Sequence, residues 1–299
     1  MQLKSVKDEE LFDNQILATK TGMSIIIGID AGISSTKIIG IENGKRIMAP
    51  ISIPSSDVIS SVYGALGKYL VENNTSLGDI EHIMLTGVGA SSVKLPLHDC
   101  PTTFVDEFKA NGLGARFDSG LDHLIVVSMG TGTSLVRVDG DEISHIGGIG
   151  MGGGTLLGLS QLLLHTTDME EITYLADDGY PSMVNLQIRD VCQGDIDGLI
   201  GEATASLFAN VLQKKPSLHD IAAGIIHLVL ETIGSCAVLS QLNGGIKDFV
   251  LIGRLTELSS CKYVFPMLEK LYDVQFHIPK YAPYCTALGA ALSYRYENR

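Results

Sequence analysis

The spacing of apolar and polar positions predicts three strands and a helix near the start of the chain. Ser24–Ile29 and Thr36–Ile41 are runs rich in β-branched residues, separated by a turn that contains glycine. The polar segment 42–45 is typical of a hairpin turn and leads into a third predicted strand, Arg46–Ile51. Apolar residues then recur at every fourth position of Ser55–Val71, which predicts a helix with polar capping residues at its start.

A second group of elements repeats the order of strand, glycine-rich turn and strand. Strands are predicted at Leu124–Val127, Ser134–Val138 and Glu142–Ile146, before a helix that begins after Gly154. The later predicted elements are a long amphipathic helix, a strand and a helix of small residues, at Ile221–Leu242, Phe249–Ile252 and Cys285–Tyr294.

These two similar openings indicate an internal duplication, so we predict an α/β fold in which each half holds a mixed sheet flanked by helices. The predicted domains are an N-terminal extension over residues 1–23, a first half over 24–115 and a second half over 116–299. Ligands of such folds bind in the crevice between the halves, beyond the strand ends.

Composition narrows the classes of partner. The chain has 21 Lys and Arg against 34 Asp and Glu, a formal net charge of −13, which argues against nucleic acid or an anionic membrane. No apolar run reaches the roughly 18 residues of a membrane helix, and residues 1–22 lack the apolar core of a secretory signal. We therefore expect a cytoplasmic protein with no nucleic-acid and no membrane partner.

The cysteines argue against a structural metal site, whereas the glycines indicate loops that form one binding site. The five cysteines are scattered without a Cys-x-x-Cys pair, which makes a structural zinc or iron–sulfur site improbable and favours buried thiols. Fourteen of the 33 glycines gather in five places, which we interpret as tight loops that feed one site: residues 28–32, 87–89, 112–114, 130–132 and 147–154.

The first glycine turn carries the residue types of a phosphate site. Backbone amides can point into such a turn, and glycine lets the chain approach a phosphate closely. A carboxylate at the strand end suits Mg²⁺ held through water, while the lysine and the hydroxyls suit phosphate oxygens. A simple β-turn is the alternative. The turn consists of Asp30, with the metal role, followed by Ala31, Gly32, Ile33, Ser34, Ser35, Thr36 and Lys37.

Two further glycine clusters lie in the second half. Gly130–Ser134 is a glycine and hydroxyl loop at the position that corresponds to the first turn, and together the two loops predict a phosphate clamp. The run Gly147–Gly154 leads directly into a predicted helix, whose N-terminal amides and dipole would attract an anion or nucleotide.

An acidic pair, Asp106 and Glu107, lies between the halves. Phosphoryl transfer to an alcohol needs a base near the acceptor hydroxyl, and either carboxylate can serve. A solvated acidic pair is the alternative.

Taken together, these segments resemble the type II (eukaryotic-like, fumble-type) pantothenate kinases, within the actin/hexokinase/Hsp70 superfamily. The resemblance runs from about residue 25 to the C-terminus, and the glycine run up to Leu159 is its most specific part. The segments that carry it are Ile29–Gly32, Phe104–Phe108, Gly130–Ser134 and Gly147–Leu159.

The resemblance implies a fold and an activity. The fold is a pair of actin/ribonuclease H-like domains with mixed five-stranded sheets and an ATP site in the interdomain cleft. The activity is ATP-dependent phosphorylation of pantothenate, the first step toward coenzyme A. Coenzyme A or acyl-CoA is an expected inhibitor, and a homodimer through the long helix of the second half is the expected assembly.

The resemblance also implies residue roles. Glu107 is the expected general base, residues 30–37 bind ATP and Mg²⁺, and Thr131 and Ser134 contact substrate or acyl-CoA. His145 stands where the family has an arginine for the pantothenate carboxylate, and histidine is neither bidentate nor always charged, so a related small alcohol is an alternative acceptor. The residues expected around the nucleotide are Thr131, Gly150, Met151, Gly152, Gly153, Gly154 and Arg254.

Three other classes of function fit parts of the pattern. The first is a nucleotide-driven conformational protein: an Hsp70-like ATPase would need a longer chain, and a dehydratase activator would need suitably spaced cysteines for its cluster. An amino-sugar kinase shares the phosphate turns but usually has an aspartate base. The third alternative is a non-catalytic homologue that binds ATP or acyl-CoA.

Overall fold

The structure, a computed structural model, describes residues 24–192, 200–241 and 245–297, with the side chain of the last residue left out. The predicted N-terminal extension, residues 1–23, lies outside the described residues. The strands are β1 Ile25–Ala31, β2 Ser35–Glu42, β3 Arg46–Ile47, β4 Ile51–Pro54, β5 Ile80–Thr86, β6 Thr102–Phe104, β7 His123–Met129, β8 Thr133–Asp139, β9 Glu142–Ile149, β10 Leu186–Gln187, β11 Thr204–Ser206, β12 Asp248–Ile252 and β13 Gln275–His277. The helices are α1 Val58–Glu72, α2 Glu107–Ser119, α3 Gly153–Leu163, α4 Met169–Asp177, α5 Ile188–Val191, α6 Leu218–Leu239, α7 Cys261–Tyr272 and α8 Cys285–Glu297.

The described residues form two compact units. The first contains residues 24–110 and the chain from 287 onward, and the second contains residues 111–286. The division of the sequence at residue 115 stays a prediction.

The first unit is built on a mixed sheet in the order β3-β2-β1-β5-β6, with β4 on the same edge of β2 as β3. β1 is antiparallel to β2 and parallel to β5, and all its residues are buried. Helix α1 packs on one face through Val62, Leu66 and Tyr69. It begins after Asp57, whose carboxylate accepts a hydrogen bond from the Ser60 amide at 2.7 Å.

The prediction of one continuous third strand over Arg46–Ile51 is wrong. The chain forms β3, leaves the sheet at 48–50 and returns as β4. Pro50 has no amide hydrogen to donate to a ladder, which explains the break. The sheet therefore has five positions, one of which is shared by two short strands.

The second unit holds a five-stranded sheet in the order β13-β12-β7-β8-β9. β7, β8 and β9 are antiparallel neighbours, while β12 runs parallel to β7 and β13. The α/β fold with a mixed, helix-flanked sheet in each half is thus confirmed.

Helix α6 supplies much of the second unit's core, with Ile225, Val229 and Ile233 fully buried. The prediction placed it at Ile221–Leu242, and the helix begins and ends three residues earlier; residue 242 lies outside the described part. By length and composition this helix could cross a membrane, but 67% of its most apolar window is buried inside the protein. Its apolar character is therefore explained by the core.

Two glycine clusters are not the loops that the sequence predicts. Gly112 and Gly114 lie inside α2, where an added Cβ on Gly114 would come within 2.1 Å of the Cys285 carbonyl oxygen. Gly147 and Gly148 lie in β9, which extends to Ile149. In α2 the glycines permit close packing, which local sequence does not reveal.

Candidate active site

Asp30 and Lys37 lie side by side near the ends of the two central strands of the first unit. They are register partners in the β1–β2 ladder, so both side chains lie on the same face of the sheet. Lys37 Nζ is 3.4 Å from Asp30 Oδ2, and the two side chains are 14% and 12% exposed. A largely buried carboxylate is thus held beside one cation.

Thr86 completes this row on the other side of Asp30. It is the last residue of β5 and the register partner of Asp30 in the parallel β1–β5 ladder. The side chain is 1% exposed, and its hydroxyl has no hydrogen-bond partner among the described residues. Lys37, Asp30 and Thr86 therefore line one face across β2, β1 and β5.

The loop after β5 packs directly on Asp30. Gly87 adopts a φ of +94°, and an added Cβ would lie 2.7 Å from both Asp30 Oδ1 and the Ala31 carbonyl oxygen. The Gly89 amide donates a hydrogen bond to that same carbonyl at 2.9 Å. A residue other than glycine at 87 would be both strained and in collision with Asp30.

The structure separates the two members of the acidic pair. Asp106 is exposed and accepts a hydrogen bond from the Lys109 amide at 2.9 Å, so it caps the start of α2. Glu107 is the first residue of α2 and is partly buried. Burial, followed by the negative charge of Asp30, raises the pKa of Glu107 to about 7, although Lys37 lowers it. Only Glu107 has the environment of a base that works near neutral pH.

The remaining residues of the first turn divide between loop and core. The Gly32 amide donates to the Ser35 carbonyl at 3.1 Å, which closes the turn, and Ile33 and Ser34 are exposed at its tip. Thr36 is fully buried, and its hydroxyl lies 2.7 Å from Ser61 Oγ on the α1 face of the sheet. The side chain of Thr36 is therefore not brought to the face of Asp30 and Lys37.

In the second unit, the loop between β7 and β8 interlocks with the start of α3. The amides of Gly153 and Gly154 donate hydrogen bonds to the carbonyls of Gly130 and Thr131, at 2.8 and 2.9 Å. These two amides are therefore already bonded within the protein. A nucleotide contact at these two residues would have to use other atoms.

Gly152 and Thr133 fix the same junction. An added Cβ on Gly152 would come within 2.6 Å of the Thr131 carbonyl oxygen and 2.9 Å of the Gly130 carbonyl oxygen. The Thr133 hydroxyl donates a hydrogen bond to the Met151 carbonyl at 2.8 Å. The glycine at position 152 is thus explained by backbone-to-backbone packing.

The other predicted site residues of this unit lie at its strands and turns. Thr131 is exposed in the loop, and Ser134 on β8 is in register with Gly148 on β9. His145 is exposed on β9, and Arg254 is exposed directly after Gly253, whose φ is +95°. The structure brings Thr131 against the glycine run; the roles of all these residues stay predictions.

The donor set of the first unit fits Mg²⁺ better than a metal that needs a full protein cage. No group of three or more His, Cys, Asp or Glu able to hold a metal occurs in the part of the chain that the structure describes. Asp30 offers one carboxylate, and its register partner Thr86 offers a hydroxyl that has no partner among the described residues. Mg²⁺ takes few carboxylates and keeps several waters, so it can be held by such a set together with substrate phosphates.

Sequence reasoning counted residues 87–89 among the glycine loops that feed the site, but it missed Thr86. The strand β5 ends at Thr86 and Gly-Val-Gly follows it, but a sequence does not show which strand lies beside β1. The parallel pairing of β1 with β5 supplies that information.

Comparison with known proteins identifies clear relatives. The family model described as Fumble matches residues 120–293. The type II pantothenate kinase of Staphylococcus haemolyticus is 31% identical over 272 residues, covering 88% of this chain and 95% of that protein. The type II pantothenate kinase of Staphylococcus epidermidis is 30% identical over 235 residues, covering 76% and 84%. The Bacillus cereus enzyme of the same name is 26% identical over 239 residues, covering 77% and 83%.

Solved structures show the same fold at lower identity. Component A of the (R)-2-hydroxyglutaryl-CoA dehydratase of Acidaminococcus fermentans gives a TM-score of 0.66 at 21% identity, covering 92% of this chain and 99% of that one. A ROK family glucokinase from Streptomyces griseus, in complex with glucose and AMPPNP, gives 0.56 at 12% identity, covering 89% and 98%. Kinases and a dehydratase component share this fold, so the fold alone does not select the reaction.

Proposed function

The chain belongs to the Fumble family of type II pantothenate kinases, and we propose that it transfers the γ-phosphoryl group of ATP to the primary hydroxyl of pantothenate with Glu107 as general base. The hydroxyl oxygen forms a bond to the γ-phosphorus, the bond to the β-phosphate oxygen breaks, and ADP leaves. The acceptor proton goes to the Glu107 carboxylate.

The environment of Glu107 is the observation that carries the base assignment. Its pKa of about 7 leaves the carboxylate available near neutral pH and makes it a stronger base than an ordinary glutamate. Asp106, the alternative, is exposed and engaged in capping α2.

The other roles follow from charge and position. Lys37 would neutralise phosphate charge beside Asp30, and Asp30 would hold Mg²⁺ through water. Bound Mg²⁺ would neutralise charge that develops on the phosphate oxygens. In the second unit we assign the nucleotide to the surroundings of Thr131, Gly150–Gly154 and Arg254, and the acceptor to Ser134 and His145.

The proposal extends to properties that rest on the family resemblance. These are inhibition by coenzyme A or acyl-CoA, a homodimer and a cytoplasmic location. Pantothenate is the acceptor in the names of the relatives, and we carry it over to this chain.

The test follows ADP release from ATP with pantothenate, pantetheine, N-acetylglucosamine or no acceptor. We expect pantothenate to raise turnover well above the acceptor-free rate. Glu107→Gln should lower kcat by about 10²- to 10⁴-fold, the usual contribution of a general base, and leave the affinity for AMPPNP unchanged.

Asp106→Asn is the matched control, because it changes the neighbouring carboxylate in the same way. It should keep most of the turnover and lose at most about 1 kcal/mol of stability from the weakened cap. Retained turnover in Glu107→Gln would remove the base assignment. Hydrolysis of ATP that no acceptor stimulates would remove the kinase.

A further inference from the structure

The Thr86 hydroxyl is buried with nothing to bond. Its side chain is 1% exposed, and no described residue offers it a hydrogen-bond partner. A buried hydroxyl without a partner lowers the stability of the folded state, and a valine of the same shape would not suffer this loss. Such a group is a candidate for a partner that the chain itself does not supply.

Its position suggests what that explanation is. Asp30 on the central strand β1 has Lys37 of β2 on one side and Thr86 of β5 on the other, and both pairs are in register. Lys37 forms an ion pair with one side of the carboxylate, with Nζ 3.4 Å from Oδ2. On the other side, the register partner of Asp30 is Thr86, whose hydroxyl has no hydrogen-bond partner among the described residues.

The loop after Thr86 holds this arrangement in place. Gly87 packs so closely on Asp30 that an added Cβ would lie 2.7 Å from Oδ1, and the Gly89 amide is bonded to the Ala31 carbonyl at 2.9 Å. Thr86 is therefore fixed at the end of β5, in register with Asp30 and directly before a tightly packed turn.

Comparison with another threonine of the first unit sharpens the inference. Thr36 is equally buried, but its hydroxyl lies 2.7 Å from Ser61 Oγ on the opposite face, so its burial is explained by the fold. The burial of the Thr86 hydroxyl has no such explanation. Both threonines lie near the same end of the first unit's sheet, Thr36 in β2 and Thr86 in β5.

We propose, resting on the function proposed above, that Thr86 is a positioning residue whose hydroxyl accepts a hydrogen bond from a water molecule of the Mg²⁺ ion associated with Asp30. Mg²⁺ keeps several waters, and their polarised O–H groups need acceptors. The carboxylate of Asp30 supplies one set of lone pairs, and the Thr86 oxygen supplies the next. Outer partners of this kind typically change metal affinity or activity by about 10- to 100-fold.

The experiment compares Thr86→Val with the wild-type protein. Titration of MgCl₂ into protein with AMPPNP should show Mg²⁺ affinity reduced by about 10-fold or more, and the Mg²⁺ concentration for half-maximal turnover should rise in parallel. The KM for pantothenate should stay within twofold. The melting temperature of the ligand-free protein should rise or stay constant, because the unpartnered hydroxyl is gone.

Two further variants keep the test decisive. Thr86→Ser restores the hydroxyl without the methyl group, and it should restore Mg²⁺ affinity to within about threefold of wild type. Thr75→Val is the matched control, since the Thr75 hydroxyl is also buried without a partner but lies outside the site. It should leave Mg²⁺ affinity and turnover unchanged.

The outcomes separate this inference from the proposed function. Unchanged Mg²⁺ affinity in Thr86→Val overturns the inference, and so does a raised KM for pantothenate with an unchanged Mg²⁺ requirement. If the wild-type protein does not phosphorylate pantothenate, the proposed function fails, but the titration with MgCl₂ and AMPPNP still decides the role of Thr86.

Discussion

The pKa of Glu107 is subject to opposing influences from its surroundings. Its place at the first turn of α2 favours the charged form, and so does Lys37, whereas burial and the charge of Asp30 favour the neutral form. Burial is the largest of these, and the pKa rises to about 7. Asp106, one residue earlier, is exposed, and its side chain caps the helix.

A base with this pKa sets the pH dependence of the reaction. At limiting ATP, kcat/KM should rise about tenfold per pH unit below 7 and level off above it, because the carboxylate must be deprotonated. Glu107→Gln should show a low rate without this slope. Initial rates between pH 5 and 9 check it, and a wild-type profile that is flat below pH 7 would contradict the assignment.

The same group should be visible in the stability of the protein without ligands. Glu107 titrates near 4.5 when unfolded and at about 7 when folded, so the folded state binds more protons between these values. The Glu107 contribution to the free energy of unfolding therefore falls as pH rises from 4.5 to 7 and is level above 7. Urea unfolding at pH 5 and 8 should show a smaller loss for Glu107→Gln than for wild type.

At the scale of elements, the junction between the β7–β8 loop and α3 depends on the absence of a side chain at Gly152. Gly152→Ala would place a methyl group about 2.6 Å from the Thr131 carbonyl oxygen, where only backbone atoms could move. The start of α3 must shift, and the bonds from Gly153 and Gly154 to the loop would weaken. We expect a loss of about 1–3 kcal/mol in stability and at least a tenfold rise in the KM for ATP.

Gly158→Ala controls for the loss of a glycine in the same helix, because an added Cβ there meets nothing within 4 Å and the residue is exposed. Its KM for ATP should match that of wild type within twofold, and its free energy of unfolding should not fall. Equal behaviour of the two variants, measured by thermal melting and by ATP titration, would show that the close packing at residue 152 is not what matters.

The elements also show where sequence patterns succeed and fail. β1, β2, β7 and β8 were predictable because each is a continuous β-branched run beside a glycine turn. Helix α2 was missed, since Gly112 and Gly114 are poor helix formers and their reason is close packing on residues distant in sequence. Asp30, Lys37 and Glu107 could be found as candidates, but the choice of Glu107 over Asp106 needed burial, and Thr86 needed strand order.

At the scale of the whole molecule, the last helix returns to the first unit. Residues from 287 onward group with residues 24–110, and α8 approaches β1 at Gly28. The small-residue composition predicted a helix, but not which sheet it joins, since that depends on contacts across more than 250 residues. An added Cβ on Gly28 would lie 1.9 Å from the Ala287 carbonyl oxygen and 2.8 Å from the Ala291 nitrogen.

Because of this contact, Gly28→Ala tests how closely α8 packs on β1. The methyl group must push the backbone of α8 away from β1, which also carries Asp30, so we expect a loss of about 3 kcal/mol in the free energy of unfolding. Gly67→Ala is the matched control, because Gly67 is exposed in α1 with nothing within 4 Å of an added Cβ. It should gain about 0.5–1 kcal/mol from improved helix propensity. Urea unfolding of both variants gives the comparison, and a stable Gly28→Ala protein would mean that α8 does not pack on β1 as closely as described.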